Sequence, residues 1–428
     1  MSDLRQIEIA QGVDLCAVKT DMFKTGRISV TMALPLGGDI AANAALVYIL
    51  RRSCAKYPDF TSLNGHLDEL YGAALSASVT KLGEAQTVNL SISAIDDRFA
   101  LGGDSVLESA AELLLCMLFE PKLVDANFTQ EDVDIEKRLL LERMLSELDD
   151  KTVYAMRRCQ ELMCADEPFG QSRYGTREDI LSLTPDRIYA AWKNMLATAV
   201  IRFVAVGSAD ADEIARSLKK RFESIERRPA ATSTRFIAEA GEMKYHSEEM
   251  AVKQGKLVMG FRAGMARKDD YDSAMTVMCD VFGGGTYSKL FSHVREKMSL
   301  CYYCSSRLDK EKGLMMVQSG IETENEEKAR AAILEQLDAV RSGDFTSDTF
   351  NASIMSINET LRSYDDSPEV LCQWYSMQLL EDVTKTTEER MAEINAVTQE
   401  QISEAANKVT LDTVFMLIGT KEDGEDEN

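Results

Sequence analysis

Histidine is nearly absent: the 428 residues hold three, His66, His246 and His293. None stands four residues from another. A helical zinc site needs two imidazoles on one face, and that spacing supplies them. The chain alone is therefore not expected to work as a helical zinc hydrolase, and no cofactor is expected. His66 shares a helical turn with Glu69 and reads as part of a solvated face; His293, beside Arg295-Glu296-Lys297, reads as surface. No Gly-x-Ser-x-Gly elbow and no phosphate loop is present. No run approaches the length of a membrane span, and no basic stretch precedes an apolar core near Met1, so neither a span nor a signal peptide is expected. Cys301-Tyr302-Tyr303-Cys304 has CxxC spacing, but no second such pair completes a zinc site. The nine cysteines read as free thiols in a reducing cytosol, which predicts a cytoplasmic protein.

What is present is acidic and globular. The formal net charge is −23. Such a surface repels nucleic acid and anionic membrane and favours basic peptide partners. Part of the excess sits in the tail 421–428, read as a solvated, disordered end. The length exceeds what one core usually holds, so two or more domains are expected.

Alternating polar and apolar residues predict strands over 27–34 and 87–94. Helical spacing covers 41–52, 61–70, 108–118 and 130–148. Two blocks then look alike. Thr184-Pro185-Asp186-Arg187-Ile188 opens a helix followed by a strand ending at Gly207. Thr398-Gln399-Glu400-Gln401-Ile402 opens a helix followed by a strand ending at Gly419. Each threonine suits a helix cap. The blocks stand about half a chain apart, which predicts a duplicated α+β domain. The expected architecture is two tandem homologous domains, 1–225 and 244–428, joined by a polar linker over 226–243. Each would be an antiparallel sheet with helices on one face. In the second copy, strands are expected over 255–261, 302–307 and 314–321. Helices are expected over 274–282, 287–297, 324–340, 347–363 and 368–381.

The break Gly283-Gly284-Gly285 reads as a flexible joint or as backbone that lets a peptide approach closely. Phe282-Gly283-Gly284-Gly285-Thr286-Tyr287-Ser288-Lys289-Leu290-Phe291, then Val294-Arg295-Glu296-Lys297, then Leu300-Cys301-Tyr302, resembles a signature of the pitrilysin/insulinase metallopeptidase superfamily. The resemblance covers nearly the whole chain. It implies an inverted zinc motif, His-x-x-Glu-His, which falls here on Ala44, Val47 and Tyr48. It also implies a third ligand, a glutamate, at the position of Arg143. All four are substituted. The resemblance is nearest to the non-catalytic member of paired bacterial proteins. It implies a zinc-bearing sister subunit, an unfolded peptide substrate and a role near elongation factor P modification. It further implies that Arg295 and Tyr302 act in trans as donors to a substrate carbonyl and its oxyanion, with Gly283, Gly284 and Gly285 at the substrate. The alternative is a non-enzymatic scaffold or a peptide-binding homodimer of the same fold.

Overall fold

The computed structural model describes residues 3–266 and 271–419. The tail expected over 421–428 lies outside the described residues. The strands are β1 (Asp3–Ala10), β2 (Val13–Lys19), β3 (Thr25–Pro35), β4 (Ala74–Leu82), β5 (Ala85–Ile95) and β6 (Val200–Gly207). They continue with β7 (Lys244–Met250), β8 (Gly255–Arg262), β9 (Cys301–Asp309), β10 (Leu314–Ile321) and β11 (Thr410–Gly419). One sheet has the order β1-β2-β6-β3-β5-β4 and the other β7-β11-β8-β10-β9. Without β1, the first order maps onto the second strand for strand. Thr184 and Thr398 both cap their helices, accepting from Arg187 N–H and Gln401 N–H. The α+β class and the two similar halves are as the sequence leads one to expect.

Two details differ from that expectation. Each sheet is mixed, because β2 runs parallel to β6 and β7 parallel to β11. Each sheet also carries a helix on its second face, contributed by the other half of the sequence. Among the described residues, the first compact unit comprises 3–144, 172–233 and 363–386; the second comprises 145–171, 234–266, 271–362 and 387–419. In the first, Leu371, Cys372 and Tyr375 of helix Pro368–Ser376 pack on Cys16, Val18, Val204 and Val206. In the second, Ala155, Cys159 and Met163 of helix Lys151–Met163 pack on Val258, Met316, Phe415 and Leu417. Covering both faces removes the polar side that a half-buried strand would need.

The same device anchors each of these helices. Buried Arg202 of β6 pairs with Asp14 of β2 at 2.7 Å and donates to the Tyr375 carbonyl at 3.2 Å. Buried Arg262 of β8 pairs with Asp412 of β11 at 2.8 Å and donates to the Met163 carbonyl at 3.2 Å. Carbonyls in a last helical turn lack intrahelical donors and carry partial negative charge, so a guanidinium suits both ends.

No regular element lies between Phe222 and Lys244. The start of that stretch is nonetheless held: the Arg227 guanidinium donates to the Gln11 carbonyl at 2.8 Å and to those of Leu196 and Ala199. Burial pulls its pKa down to about 10. Among the described residues no helix is long and apolar enough to cross a membrane.

Candidate functional site

Apart from Asn43 and the Tyr48 hydroxyl, helix Ile40–Leu50 is apolar, and every residue of it is buried. A helix of that composition belongs inside a core rather than on a surface. Asp39 caps it, accepting from Ala42 N–H, and pairs with Arg187 at 2.8 Å. Asn43 donates to Gln86 of β5 at 3.1 Å, fixing the helix against the sheet. Ala44, Val47 and Tyr48 are thereby fixed within the core of the first unit.

Helix Gln130–Ser146 brings Arg143 to this place. Its guanidinium lies 3.7 Å over the centre of the Tyr48 ring. Two turns earlier on the same face, Glu136 is 1% exposed and sits between Arg143 at 3.5 Å and Arg52 at 3.4 Å. Burial, then the neighbouring Tyr174, push the Tyr48 phenol up to about 12 against the pull of Arg143. The phenol is thus neutral at ordinary pH. A dication finds an alanine, a valine, a neutral phenol and a fixed cation at these four positions, and they do not fit zinc. A cation–π contact joins two of these four positions. Among the described residues, no three of His, Cys, Asp and Glu gather as a metal-holding group. Glu136 and Arg52 were not singled out from the sequence. The seven-residue spacing of Glu136 and Arg143, two helical turns, was the available signal.

The other candidate residues lie in the second unit. Arg295 belongs to a π-helical segment, Leu290–Lys297, where an α-helix was expected. Met298 N–H donates to the His293 carbonyl, five residues back, at 2.9 Å. Ser299 then turns the chain with φ +51°, a left-handed conformation unusual for a residue with a side chain. This reversal leads directly into β9, which packs on the segment and carries Tyr302. Arg295 lies 4.4 Å over the Phe291 ring and 3.7 Å from Glu296. Tyr302 is 63% exposed, so it is not a core tyrosine. Its hydroxyl donates to Glu322 at 3.1 Å, and that bond raises its pKa.

The glycines serve close packing. Gly283 ends helix Asp272–Gly283, and a Cβ there would stand 2.6 Å from the Ser306 nitrogen of β9. At Gly284 a Cβ would meet Asp280, and at Gly285 the Tyr287 ring. None of the three has a positive φ. Gly283→Ala is expected to cost about 1–3 kcal/mol through overpacking against a backbone atom that cannot step aside. Thermal unfolding of that variant beside Gly65→Ala, where a Cβ meets nothing within 4 Å, checks this. His66 stacks on Tyr57 at 4.4 Å and contacts Glu69 at 3.1 Å, so it is better packed than a solvated face implies. His293 is half-buried rather than surface, and burial, then Lys289, lower its pKa.

Residues 182–357 match the family model described as Peptidase M16 inactive domain. A Bacillus subtilis (strain 168) protein described as probable inactive metalloprotease YmfF is 32% identical, across 96% of this chain and 96% of its own. The chain belongs to the M16 peptidase family. A solved structure of a conserved Enterococcus faecalis V583 protein covers 99% of this chain and 100% of its own, with 27% identity and a TM-score of 0.88. An M16 inactive domain from Pseudomonas fluorescens, 15% identical, covers 98% of this chain and 99% of its own with a TM-score of 0.81, and shares the fold. In this M16 chain the positions expected to hold the zinc motif carry Ala44, Val47 and Tyr48, and Arg143, expected at the third-ligand position, covers the Tyr48 ring.

Proposed function

We propose that the chain is a catalytically inactive M16 subunit that pairs with a zinc-bearing homologue and completes a peptide-cleaving site in trans. The observation that carries this reading is an asymmetry. Arg143 lies on the Tyr48 ring, at positions where the family resemblance implies metal ligands, whereas Tyr302 stands exposed on a strand that ends its sheet. A guanidinium and a phenol O–H held by a rigid scaffold are preorganised donors for negative charge that forms in a transition state. The π-helical segment and the left-handed Ser299 between them are local departures of the kind that accumulate at functional sites. The substrate is an unfolded peptide, which adds as a strand to a free sheet edge. The link to elongation factor P modification rests on the sequence resemblance alone.

The test is co-expression with the zinc-bearing homologue, followed by peptide cleavage. Arg295→Ala and Tyr302→Phe are each expected to lower kcat by about 10²–10³ at unchanged zinc content. Undiminished kcat in both variants removes the donor roles. A homodimer that binds peptide and ignores the homologue removes the paired reading in favour of a scaffold.

A further inference from the structure

Cys301 and Cys304 open the edge strand β9, and the strand's register makes them neighbours. Gly320 pairs with Tyr303 and Ile321 with Cys301, so Tyr302 is an extra residue in the ladder. Such a bulge cancels the alternation of side chains between the two faces of a sheet. In a regular strand, positions 301 and 304 would point to opposite faces. Here Cys301 pairs with Ile321 and Cys304 with Ser319, two residues apart on β10, so both side chains share one face of the sheet. Ser319 in turn donates to the Tyr303 carbonyl at 2.9 Å, which holds the bulge.

The two thiols differ in surroundings. Cys304 is buried, and Cys301, the first residue of the strand, is half-buried. The neighbouring Cys304 side chain pulls the Cys301 thiol down to about 7 against burial, with Arg295 pulling the same way. The neighbouring Cys301, then burial, push Cys304 well up. A second pair, Cys54 and Cys116, has the same opposed acidities, but Cys54 is fully buried and Cys116 nearly so. Access therefore separates the two pairs where acidity does not.

We propose that Cys301 and Cys304 form a peroxide-reactive dithiol, with Cys301 the nucleophile and Cys304 the resolving thiol. The Cys301 sulfur attacks one peroxide oxygen. An S–O bond forms, the O–O bond breaks, and the departing hydroxide takes a proton and leaves as water. Cys301 is oxidised to a sulfenic acid and the peroxide is reduced. The Cys304 sulfur then attacks the sulfenic sulfur. An S–S bond forms, the S–O bond breaks, and the Cys304 proton leaves with the hydroxide as a second water. Disulfide geometry is narrow, so closing this bond tightens the bulge and moves Tyr302, the unpaired one of the two residues between the cysteines. The thiol chemistry stands by itself; its effect on a donor tyrosine rests on the proposed subunit role.

Full-length protein at pH 7 is treated with equimolar hydrogen peroxide, alkylated and mapped by mass spectrometry. The Cys301–Cys304 disulfide is expected to form first, with Cys301 reacting roughly tenfold faster than the remaining cysteines. Cys304→Ser is expected to leave Cys301 as a sulfenic acid that dimedone captures. Cys301→Ser is expected to leave Cys304 reduced. Oxidation of Cys54 and Cys116 first, or of Cys301 with Cys304 still free in the wild type, overturns the assignment. Cleavage by the heterodimer before and after peroxide reads the second claim separately. A formed disulfide with unaltered kcat overturns the link to Tyr302 and leaves the dithiol standing.

Discussion

Glu167→Ala is expected to destabilise the second unit by about 3–5 kcal/mol, the range for removing one partner of a buried ion pair. Glu167 lies just past helix Lys151–Met163 and pairs with Arg262 at 2.8 Å and with Lys312 at 2.6 Å. All three side chains are almost wholly buried. The substitution removes the carboxylate that both cations share. Arg262 keeps Asp412, and Lys312 keeps the Arg235 carbonyl. Because Glu167 also closes the segment that covers the second sheet face, the loss should be local. Hydrogen exchange in residues 151–163 is expected to speed up more than exchange in β3 or β5. Burial alone would raise the Glu167 pKa, but hydrogen bonds from Arg262 and Lys312 overcome it and hold the carboxyl below its usual range. A depressed carboxylate stabilises the fold above its unfolded pKa, about 4.3, and loses that contribution as pH falls through the folded value. Wild-type stability should therefore fall on acidification below about pH 4.3. Glu167→Gln should start lower and show a shallower decline over the same window. Urea unfolding of both proteins from pH 7 downward measures the difference. Equal slopes would show that Glu167 does not carry the charge coupling assigned to it.

The duplicated α+β architecture is legible in the sequence because the decisive signals are local. The capping threonines, the apolar strands after them and the terminal glycines are visible in the letters, and they predict the duplication. The parallel strands β2 and β7 were not legible. β7, Lys-Tyr-His-Ser-Glu-Glu-Met, is partly or fully exposed along its length and offers no apolar face to read. The second-face helices were missed for another reason. Val200-Ile201-Arg202-Phe203-Val204-Ala205-Val206 is apolar on both faces, which says that both are covered. Nothing in that run says that the cover comes from residues 368–376, far along the chain. The candidate site divides in the same way. The substitutions at Ala44, Val47, Tyr48 and Arg143 follow from an alignment to a motif. That Arg143 lies on the Tyr48 ring, with Glu136 behind it, depends on the packing of two helices distant in sequence. For the glycine run, the close approach is made by β9, a neighbour that a local reading cannot supply.

Ala44→His, Tyr48→His and Arg143→Glu together are expected to give a chain that holds about one zinc ion, where each single substitution gives none. Positions 44 and 48 lie four apart on helix Ile40–Leu50, which puts two imidazoles on one face. Position 143 already reaches position 48, since the guanidinium sits 3.7 Å from the ring centre. Exchanging that cation for a carboxylate removes the charge that opposes a dication and supplies a third ligand. Without metal the variant should be less stable than the wild type. An imidazole at position 44 adds volume where Ala44 is fully buried, at a cost of about 1–3 kcal/mol. The new carboxylate also faces buried Glu136, which keeps only Arg52 of its two cations. Zinc should reverse much of this loss, by about 2.7 kcal/mol at a hundredfold excess over Kd, while magnesium should not. Zinc per chain by atomic absorption and thermal unfolding with each ion are the measurements. A folded triple variant that takes up no zinc would mean that the two helices do not present these positions as a metal set. The filled-site account of Arg143 would then fail with it, because that account requires the arginine to stand where a ligand could.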